Sequence, residues 1–423
     1  MSYKIKNLKL APQGEKNIDW ARSQMGALLE IEKKFLKEKP LKGIVIGLAL
    51  HVTKETAVLV ETLLAGGARV VIASCNPLST QDDAAAALVK KGVFVFAWKG
   101  ETVKDYYQNI DQVIKFLKTQ ARRRNLITID DGCDLVSRIH SKYSGLIKNI
   151  ICGCEETTTG VLRLRAMEKD GALKYPMIAV NDNKTKHLFD NYYGTGQSSW
   201  DGILRASNIL VAGKVAVVVG YGDCGKGVAL RGQGLGARIV VVETDPLKAL
   251  QALSDGFQVL TLREAVKIGD IFITVTGQKR IIRKEHFRLM KDGTILANAG
   301  HFDHEIDVRG LEQVAQSKRR IRPYFDEYQV GQKKIYLAGE GRLVNLVCAE
   351  GHPSTVMAMS FAGQVLAVEY GVKNKNQLPI RVITLPGEID QKIARLQLKA
   401  LGIKIDSLTS EQKKYLKSWK EGT

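Results

Sequence analysis

The stretch VVVGYGDCGKGVALRGQGLGARIVVVETD, from Val217 to Asp245, constrains this chain more than any other. A β-branched run ends on Gly220-Tyr-Gly222-Asp223-Cys-Gly225, a helical segment follows, and a second β-branched run ends on Glu243. Each part has a task in holding a dinucleotide. Gly220 allows a tight turn, Gly222 lets backbone N–H groups approach a pyrophosphate, and Gly225 permits close helix–strand packing. The helix start, with Asp223 in its first turn, adds its dipole. A carboxylate about 20 residues on, here Glu243, binds the ribose diol of NAD and repels the extra phosphate of NADP. A lone GxGxxG is weak evidence; strand, helix and acid together make a mere packing turn a poor alternative.

This fingerprint opens a second α/β unit, because a complete one precedes it. GIVIGLAL, RVVIAS, VFVFAW, LITIDD, KNIICG and YPMIAV read as buried strands. KETAVLVETLLAGGA, STQDDAAAALVKKG and the segment from Asp105 to Leu117 read as the helices between the first four. Alternation of this kind predicts a parallel sheet. Its strand ends carry His51, Asn76, Asp130, Asp131, Glu155 and Glu156, and open parallel sheets bind ligands beyond those carboxyl ends. A helix is predicted from Ser198 to Leu210. KVAVVVG, ARIVVVE, IFITVTG, TILANAG and KIYLAG are the expected strands of the second sheet, SFAGQVLAVEYG a later helix, and the segment from Ile389 a charged helical tail.

The fold class expected is therefore α/β, with two doubly wound parallel-sheet domains and a helical C-terminal tail. At 423 residues, two or three domains are expected. No apolar run long enough to span a membrane is seen, and the N-terminus lacks a signal-peptide pattern. Six scattered cysteines, only Cys152 and Cys154 close together, lack a zinc spacing and fit free thiols in a reducing cytoplasm. The net charge of +19 raises nucleic-acid binding. The basic residues are spread out, with short clusters at Arg122 to Arg124 and Arg319 to Arg320, and no nucleic-acid-binding motif accompanies them, so a solvated surface is the better reading.

Longer strings add a resemblance. LALHVTKETAVLVETLLAGGA, SCNPLSTQDDAAAAL, FAWKGET, IDDGCDL, EETTTGV, NDNKTKHLFDNYYG, GYGDCGKG, NAGHFDHEID and EGRLVNLVCAEGHPS resemble, in order, the S-adenosylhomocysteine hydrolase (adenosylhomocysteinase) family, over roughly Leu41 to Tyr415. The resemblance implies a cytosolic homotetramer with tightly bound NAD, no resident metal, and reversible hydrolysis of S-adenosylhomocysteine to adenosine and homocysteine. It also implies that the NAD-binding domain, residues 191–351, is inserted in a substrate domain made of residues 1–190 and 352–388, with 389–423 as the tail.

The bond broken is an unactivated thioether at C5′ of the ribose. Oxidation of the 3′-hydroxyl makes the C4′ proton acidic, so the thiolate leaves by elimination, water adds, and the hydride returns. By resemblance, Lys186 and Asp190 act at the 3′-oxygen. A lysine serves as base there if burial and neighbours lower its pKa. Asp131 and His51 serve the C4′ proton and the substrate, and His301 the leaving group and the water. Glu156 holds the ribose and His352 acts as gate and substrate contact. Thr53 and Glu55, walled by Met357 and Phe361, hold the purine. Thr157, Thr158, Thr159, Asn191 and Asn345 join Gly220, Gly222, Asp223, Gly225 and Glu243 around NAD. His140, His187, His286 and His304 match no catalytic position.

The chain departs from the family pattern in places. Thr195 stands where many relatives have cysteine, Lys248 where many have asparagine, and the end QKKYLKSWKEGT does not match the Lys and Tyr that many relatives lend to a neighbouring subunit's NAD. The alternatives are an S-inosylhomocysteine hydrolase with the same mechanism and an ordinary NAD-dependent dehydrogenase. A regulatory relative without activity would be expected to lack one or more of His51, Asp131, Lys186, Asp190 and His301, and all are present.

Overall fold

The computed structural model describes residues 3–121, 125–420 and 422. The basic run Arg122 to Arg124 lies outside the described residues.

Two sheets carry the molecule. The first is built from β1 (Ile44–Ala49), β2 (Arg69–Ala73), β3 (Phe94–Phe96), β4 (Asn125–Asp130), β5 (Ile150–Glu155) and β6 (Met177–Ala179). The second is built from β7 (Val215–Val219), β8 (Arg238–Val242), β9 (Gln258–Val259), β10 (Ile271–Thr274), β11 (Thr294–Asn298), β12 (Ser317–Arg322), β13 (Phe325–Val330) and β14 (Lys333–Ala338). The chain then returns to the first sheet with β15 (Val382–Ile383). The orders are β15-β6-β5-β4-β1-β2-β3 and β12-β13-β14-β11-β10-β7-β8-β9. Every pairing of the first sheet is parallel. Helices cover both faces, which is why β1 is buried along its whole length and reads as continuous apolar sequence.

Strand order reverses between β1 and β4 in the first sheet and between β7 and β10 in the second. Such switch points open a crevice at the carboxyl ends of the strands. The residues following β1 and β4 include His51 and Asp131; those following β7 begin with Gly220. The fold thus aims two crevices at one another.

The connection between the sheets is a helix with three geometries. It begins as α over Lys184–His187, widens to π over Leu188–Gly194, and continues as α over Thr195–Ser207, where Asn208 ends it in a left-handed conformation. The sequence reading had placed this helix at Ser198 to Leu210. Its glycines explain how tightly it docks. A Cβ on Gly196 would meet the Gly227 carbonyl oxygen at 2.6 Å, and one on Gly227 would meet that of Tyr192 at 1.9 Å. Backbone thus lies directly against backbone where the connecting helix crosses the helix after β7, Asp223–Gly234.

Helix Ser354–Lys373 has the length and hydropathy of a membrane span, yet 72% of its apolar window is buried inside the protein. Ala358, Phe361, Ala362, Val365 and Leu366 pack with Cys152, Ile178 and Val180 in one core. Full burial of each large apolar side chain is worth about 1.5–3 kcal/mol. Helix Gly387–Ala400 docks beside it, with Ile393 buried and the Gln397 side chain accepting from the Ala27 N–H. The sequence reading began the tail at residue 389, inside this helix; in the structure the exposed run starts after Ala400.

The sequence reading also missed helices Ala11–Ser23 and Gly26–Glu38 and the antiparallel β12–β13 edge. Every residue of β12 is exposed. Arg319 and Arg320, read as solvated, pair across this edge with Glu327 and Asp326.

The glycine crossing yields a paired test. Gly227→Ala forces the connecting helix outward and is expected to cost about 1–3 kcal/mol by overpacking, with weakened NAD retention. Gly234→Ala, on the same helix with open space around it, is expected to be neutral or stabilising by up to about 1 kcal/mol. Urea denaturation of both variants reads the difference; equal stabilities would refute the close-packing argument.

Candidate active site

The two crevices merge into one cleft of about 1520 Å³. An ordinary single-ligand pocket holds roughly 300–1,000 Å³, so this one has room for a dinucleotide and a second ligand. All of the expected site residues line it except Gly225, which is buried in the helix. A Cβ on Gly225 would sit 2.0 Å from the Gly220 carbonyl oxygen, so its role is packing. Thr195 and Lys248 also line the cleft.

On the floor of the first crevice, Asp131 is flanked by two imidazoles. His51 Nε2 lies 3.5 Å from one carboxylate oxygen and His301 Nδ1 3.6 Å from the other. His51 follows β1, Asp131 follows β4, and His301 arrives from the second sheet after β11. A Cβ on Gly132 would strike the His301 ring at 2.3 Å, so this glycine is what lets the two domains bring their acid–base groups together. Burial, partly offset by the Asp131 charge, lowers the His51 pKa to about 4. Burial likewise lowers that of His301. Both are held as neutral imidazoles, each able to donate at one nitrogen and accept at the other.

Lys186 is almost fully buried. Its Nζ lies 3.1 Å from Asp190 Oδ1 and donates to Asn191 Oδ1 at 2.8 Å and to Asn181 Oδ1 at 3.2 Å. Burial alone favours neutral lysine, but the charges of Asp190 and Glu156 prevail and raise its pKa. The sequence reading needed burial and neighbours to lower it; in the ligand-free protein the neighbours hold the proton on. Asp190 also lies 3.4 Å from His352 Nε2. Burial opposes its charge, yet Lys186 and His352 hold it far below the usual carboxylate range.

Glu156 accepts from Ser360 Oγ and Gln364 Nε2 of the core helix, and burial pushes its pKa up to about 7. Glu55 accepts from Ser354 Oγ at 2.6 Å and has Lys54 Nζ 3.4 Å away. Ser354, Ser360, Gln364 and Asn181 were missed in the sequence. The signal available was Ser360 and Gln364, polar and four apart on one face of an apolar helix.

The second crevice fits a dinucleotide on three observations. A Cβ on Gly222 would meet nothing within 4 Å, so the loop backbone faces open space. Glu243 follows β8 and accepts backbone N–H groups of Tyr221, Thr244 and Asp245; burial resists its charge, but these donors prevail and lower its pKa. Asn345 Oδ1 is buried without a partner, while its amide donates to Ser198 Oγ at 3.1 Å. Lys248 sits 3.9 Å from Asp245. Thr195 Oγ1 lies 3.5 Å from the Asp190 carbonyl oxygen. Thr158 Oγ1 donates to Asn181, tying the threonine run to the lysine site. Of the histidines set aside, His286 also lines the cleft, but its Nδ1 accepts the Arg283 N–H and caps a helix.

Comparison with known proteins identifies the family. A family model described as S-adenosyl-L-homocysteine hydrolase, NAD binding domain, matches residues 191–351. A second, described as S-adenosyl-L-homocysteine hydrolase, matches residues 2–145. The adenosylhomocysteinase of Saccharolobus solfataricus is 58% identical over 424 residues, covering 100% of both chains. The S-inosyl-L-homocysteine hydrolase of Methanocaldococcus jannaschii is 57% identical over 421 residues, again covering 100% of both. The adenosylhomocysteinase of Aquifex aeolicus is 55% identical over 425 residues, with the same coverage. The cofactor is NAD, and the chain belongs to the S-adenosyl-L-homocysteine hydrolase family.

Proposed function

We propose that the protein catalyses the reversible hydrolysis of S-adenosyl-L-homocysteine to adenosine and L-homocysteine. The observation that carries this reading is the single cleft in which Lys186–Asp190 and His51–Asp131–His301 face the dinucleotide loop. When bound, NAD supplies reversible hydride removal from the ribose, which an ordinary thioether hydrolysis lacks. Gly220, Gly222, Asp223, Glu243, Asn191, Asn345 and the run Thr157 to Thr159 are the residues that would hold it.

The chain's own groups supply placement and proton transfer. Lys186 holds the 3′-oxygen and, once bound substrate displaces its own proton, is the group placed to take the hydroxyl proton as hydride leaves and to return it on re-reduction; Asp190 orients it. Asp131 is the carboxylate positioned to take the C4′ proton. His301, neutral and beside Asp131, exchanges protons with the departing sulfur and the entering water. Glu156 accepts the ribose hydroxyls. His352, tied to Ser198 and Asp190, stands where the chain returns to the first domain and gates the entrance.

Glu55 favours adenine. One of its oxygens is taken by Ser354, and the other is free to accept from the 6-amino group. Hypoxanthine presents an acceptor oxygen there, and an unmade hydrogen bond to a buried charged group costs roughly 1–3 kcal/mol.

We also read the protein as a cytoplasmic homotetramer without nucleic-acid or membrane partners. Exposed Leu247, Leu250 and Leu253 on one helix supply apolar surface of the kind subunits cover.

The reaction is tested by mixing the purified protein with adenosine and homocysteine without added NAD. The thioether nucleoside is expected to form while absorbance of reduced cofactor stays flat. Reduced cofactor growing in step with product would mean a dehydrogenase instead.

Lys186→Met is expected to lower turnover by about 10²–10⁴-fold while bound NAD stays stoichiometric. Loss of NAD from a folded variant would move Lys186 out of the substrate site.

Side-by-side rates on adenosyl and inosyl substrates are expected to favour adenosyl by about tenfold to a few hundredfold in kcat/KM. Glu55→Gln is expected to narrow that ratio. Equal rates, or faster turnover of the inosyl compound by the unmutated protein, would overturn the adenine assignment.

A further inference from the structure

We propose that His51, Cys75 and Asp131 form a tetrahedral site for a zinc-class divalent cation, whose occupation shuts the catalytic cleft. One ligand atom from each of the three lies within 4.8 Å of the others. His51 Nε2 is 3.5 Å from Asp131 Oδ2, and Cys75 Sγ is 3.7 Å from the same oxygen. Zinc bonds of about 2.0–2.2 Å to nitrogen or oxygen and about 2.3 Å to sulfur give tetrahedral edges of roughly 3.4 Å and roughly 3.6 Å. Two edges of the triangle therefore have metal-site lengths already, and the His51–Cys75 edge closes by a small side-chain rotation. A nitrogen, a thiolate and a carboxylate together select borderline and soft cations such as Zn²⁺ over Mg²⁺ or Ca²⁺.

Two further observations single out this position. Ser79 Oγ donates to the Asn76 carbonyl oxygen at 3.2 Å and lies 2.7 Å from His51 Nδ1. With its proton directed there, the hydroxyl accepts from Nδ1–H, and the lone pair of the ring is left on Nε2, facing Asp131. A bond of this kind at the other ring nitrogen orients metal-binding histidines. In addition, among the described residues Asp131 accepts no hydrogen bond from a backbone N–H or a hydroxyl; its one side-chain hydrogen-bond donor is the Cys75 thiol. A lone pair facing a carboxylate across 3.5 Å calls for a cation or a substrate proton between them.

Cys75 is 6% exposed and does not line the cleft, whereas His51 and Asp131 do. The cation would therefore enter from the cleft, release the thiol proton to solvent, and keep its fourth position toward the cleft. It would take from the substrate both the His51 nitrogen and the Asp131 carboxylate, so metal and nucleoside exclude one another.

The test uses the NAD-loaded enzyme titrated with Co²⁺ and with Zn²⁺, alongside Cys75→Ala, Cys75→Ser and Cys348→Ala. Cobalt bound here gives tetrahedral visible bands and a thiolate-to-metal charge-transfer band. These are expected in the parent and in Cys348→Ala, and are expected to vanish when adenosine saturates the cleft. Cys75→Ala and Cys75→Ser are expected to lose the charge-transfer band and, measured against each variant's own uninhibited rate, to need at least about tenfold more Zn²⁺ for half-inhibition. A charge-transfer band that survives in both Cys75 variants, unchanged Zn²⁺ inhibition in them, or cobalt bands unaffected by adenosine would overturn the site. The spectra report the site whether or not the proposed hydrolysis is correct.

Discussion

Everything in the cleft is arranged around one buried cation. The Lys186 ammonium has lost its water, and an unpaired buried charge costs several kcal/mol. The protein replaces that water from three directions: Asp190 and Asn191 on the connecting helix, and Asn181 just beyond β6. These partners come from the end of the first sheet and from the segment that leaves it for the second. Satisfying the lysine therefore fixes how the connecting helix departs, and with it where the dinucleotide loop can lie. In a dry cleft a fixed ammonium stabilises oxyanions more than water can, which is the use the proposed function makes of it.

The π-helical stretch Leu188–Gly194 is what makes this possible. On an α-helix, residues four apart share a face and residues five apart do not. Lys186 nonetheless contacts both Asp190 and Asn191, four and five positions on. Widening the turn swings Asn191 onto the lysine side, where its amide nitrogen also comes within 3.4 Å of Thr158 Oγ1. Single wide turns of this kind cluster at functional sites because they re-aim side chains without breaking the helix. The direct backbone contact of Gly196 and Gly227 then locks the helix just beyond the widened turn.

What was legible in the sequence follows from this arrangement. Buried parallel strands advertise themselves, so β1, β2, β4, β7 and β8 were readable from apolar runs, and the glycine loop from its flanking strand, helix and acid. Cleft-lining positions at strand ends, such as His51 and Asp131, were visible as polar residues interrupting apolar text; their proposed roles came from the resemblance of whole strings. No local rule announces a π turn, so the α-helical segment Thr195–Ser207 that follows it was placed three residues late at each end. Strand β12, exposed throughout and rich in Lys and Arg, looks like a solvated loop because edge strands discourage pairing with other chains by carrying charge. The proton affinity of Lys186 could not be read at all. It depends on whether burial or the neighbouring carboxylates dominate, and that balance exists only once Asp190 and Glu156 are brought together.

The cleft collects more carboxylates than it has cations, and burial resolves the conflict. Asp130 and Glu155 are neighbours in register on β4 and β5, beneath Asp131 and Glu156. Burial pushes Asp130 up to about 7, and burial together with the Asp130 charge pushes Glu155 well above the usual range. Neither faces the cleft. Asp130 instead accepts the N–H groups of Asp131 and Val136, and Glu155 those of Gly132 and Thr157. The floor acids therefore act on the backbone, holding the turn that carries Asp131 and the turn that opens the threonine run. Protonation spares the site the charge of Glu155: among the described residues its second oxygen accepts no bond and is buried, where a carboxyl O–H is tolerated far better than a carboxylate. Negative charge is thereby concentrated on Asp190, which Lys186 and His352 hold ionised, while Asp131 sits between two imidazoles. One sheet edge thus supplies two tiers of acids, a lower pair that hold backbone turns and an upper pair that line the cleft.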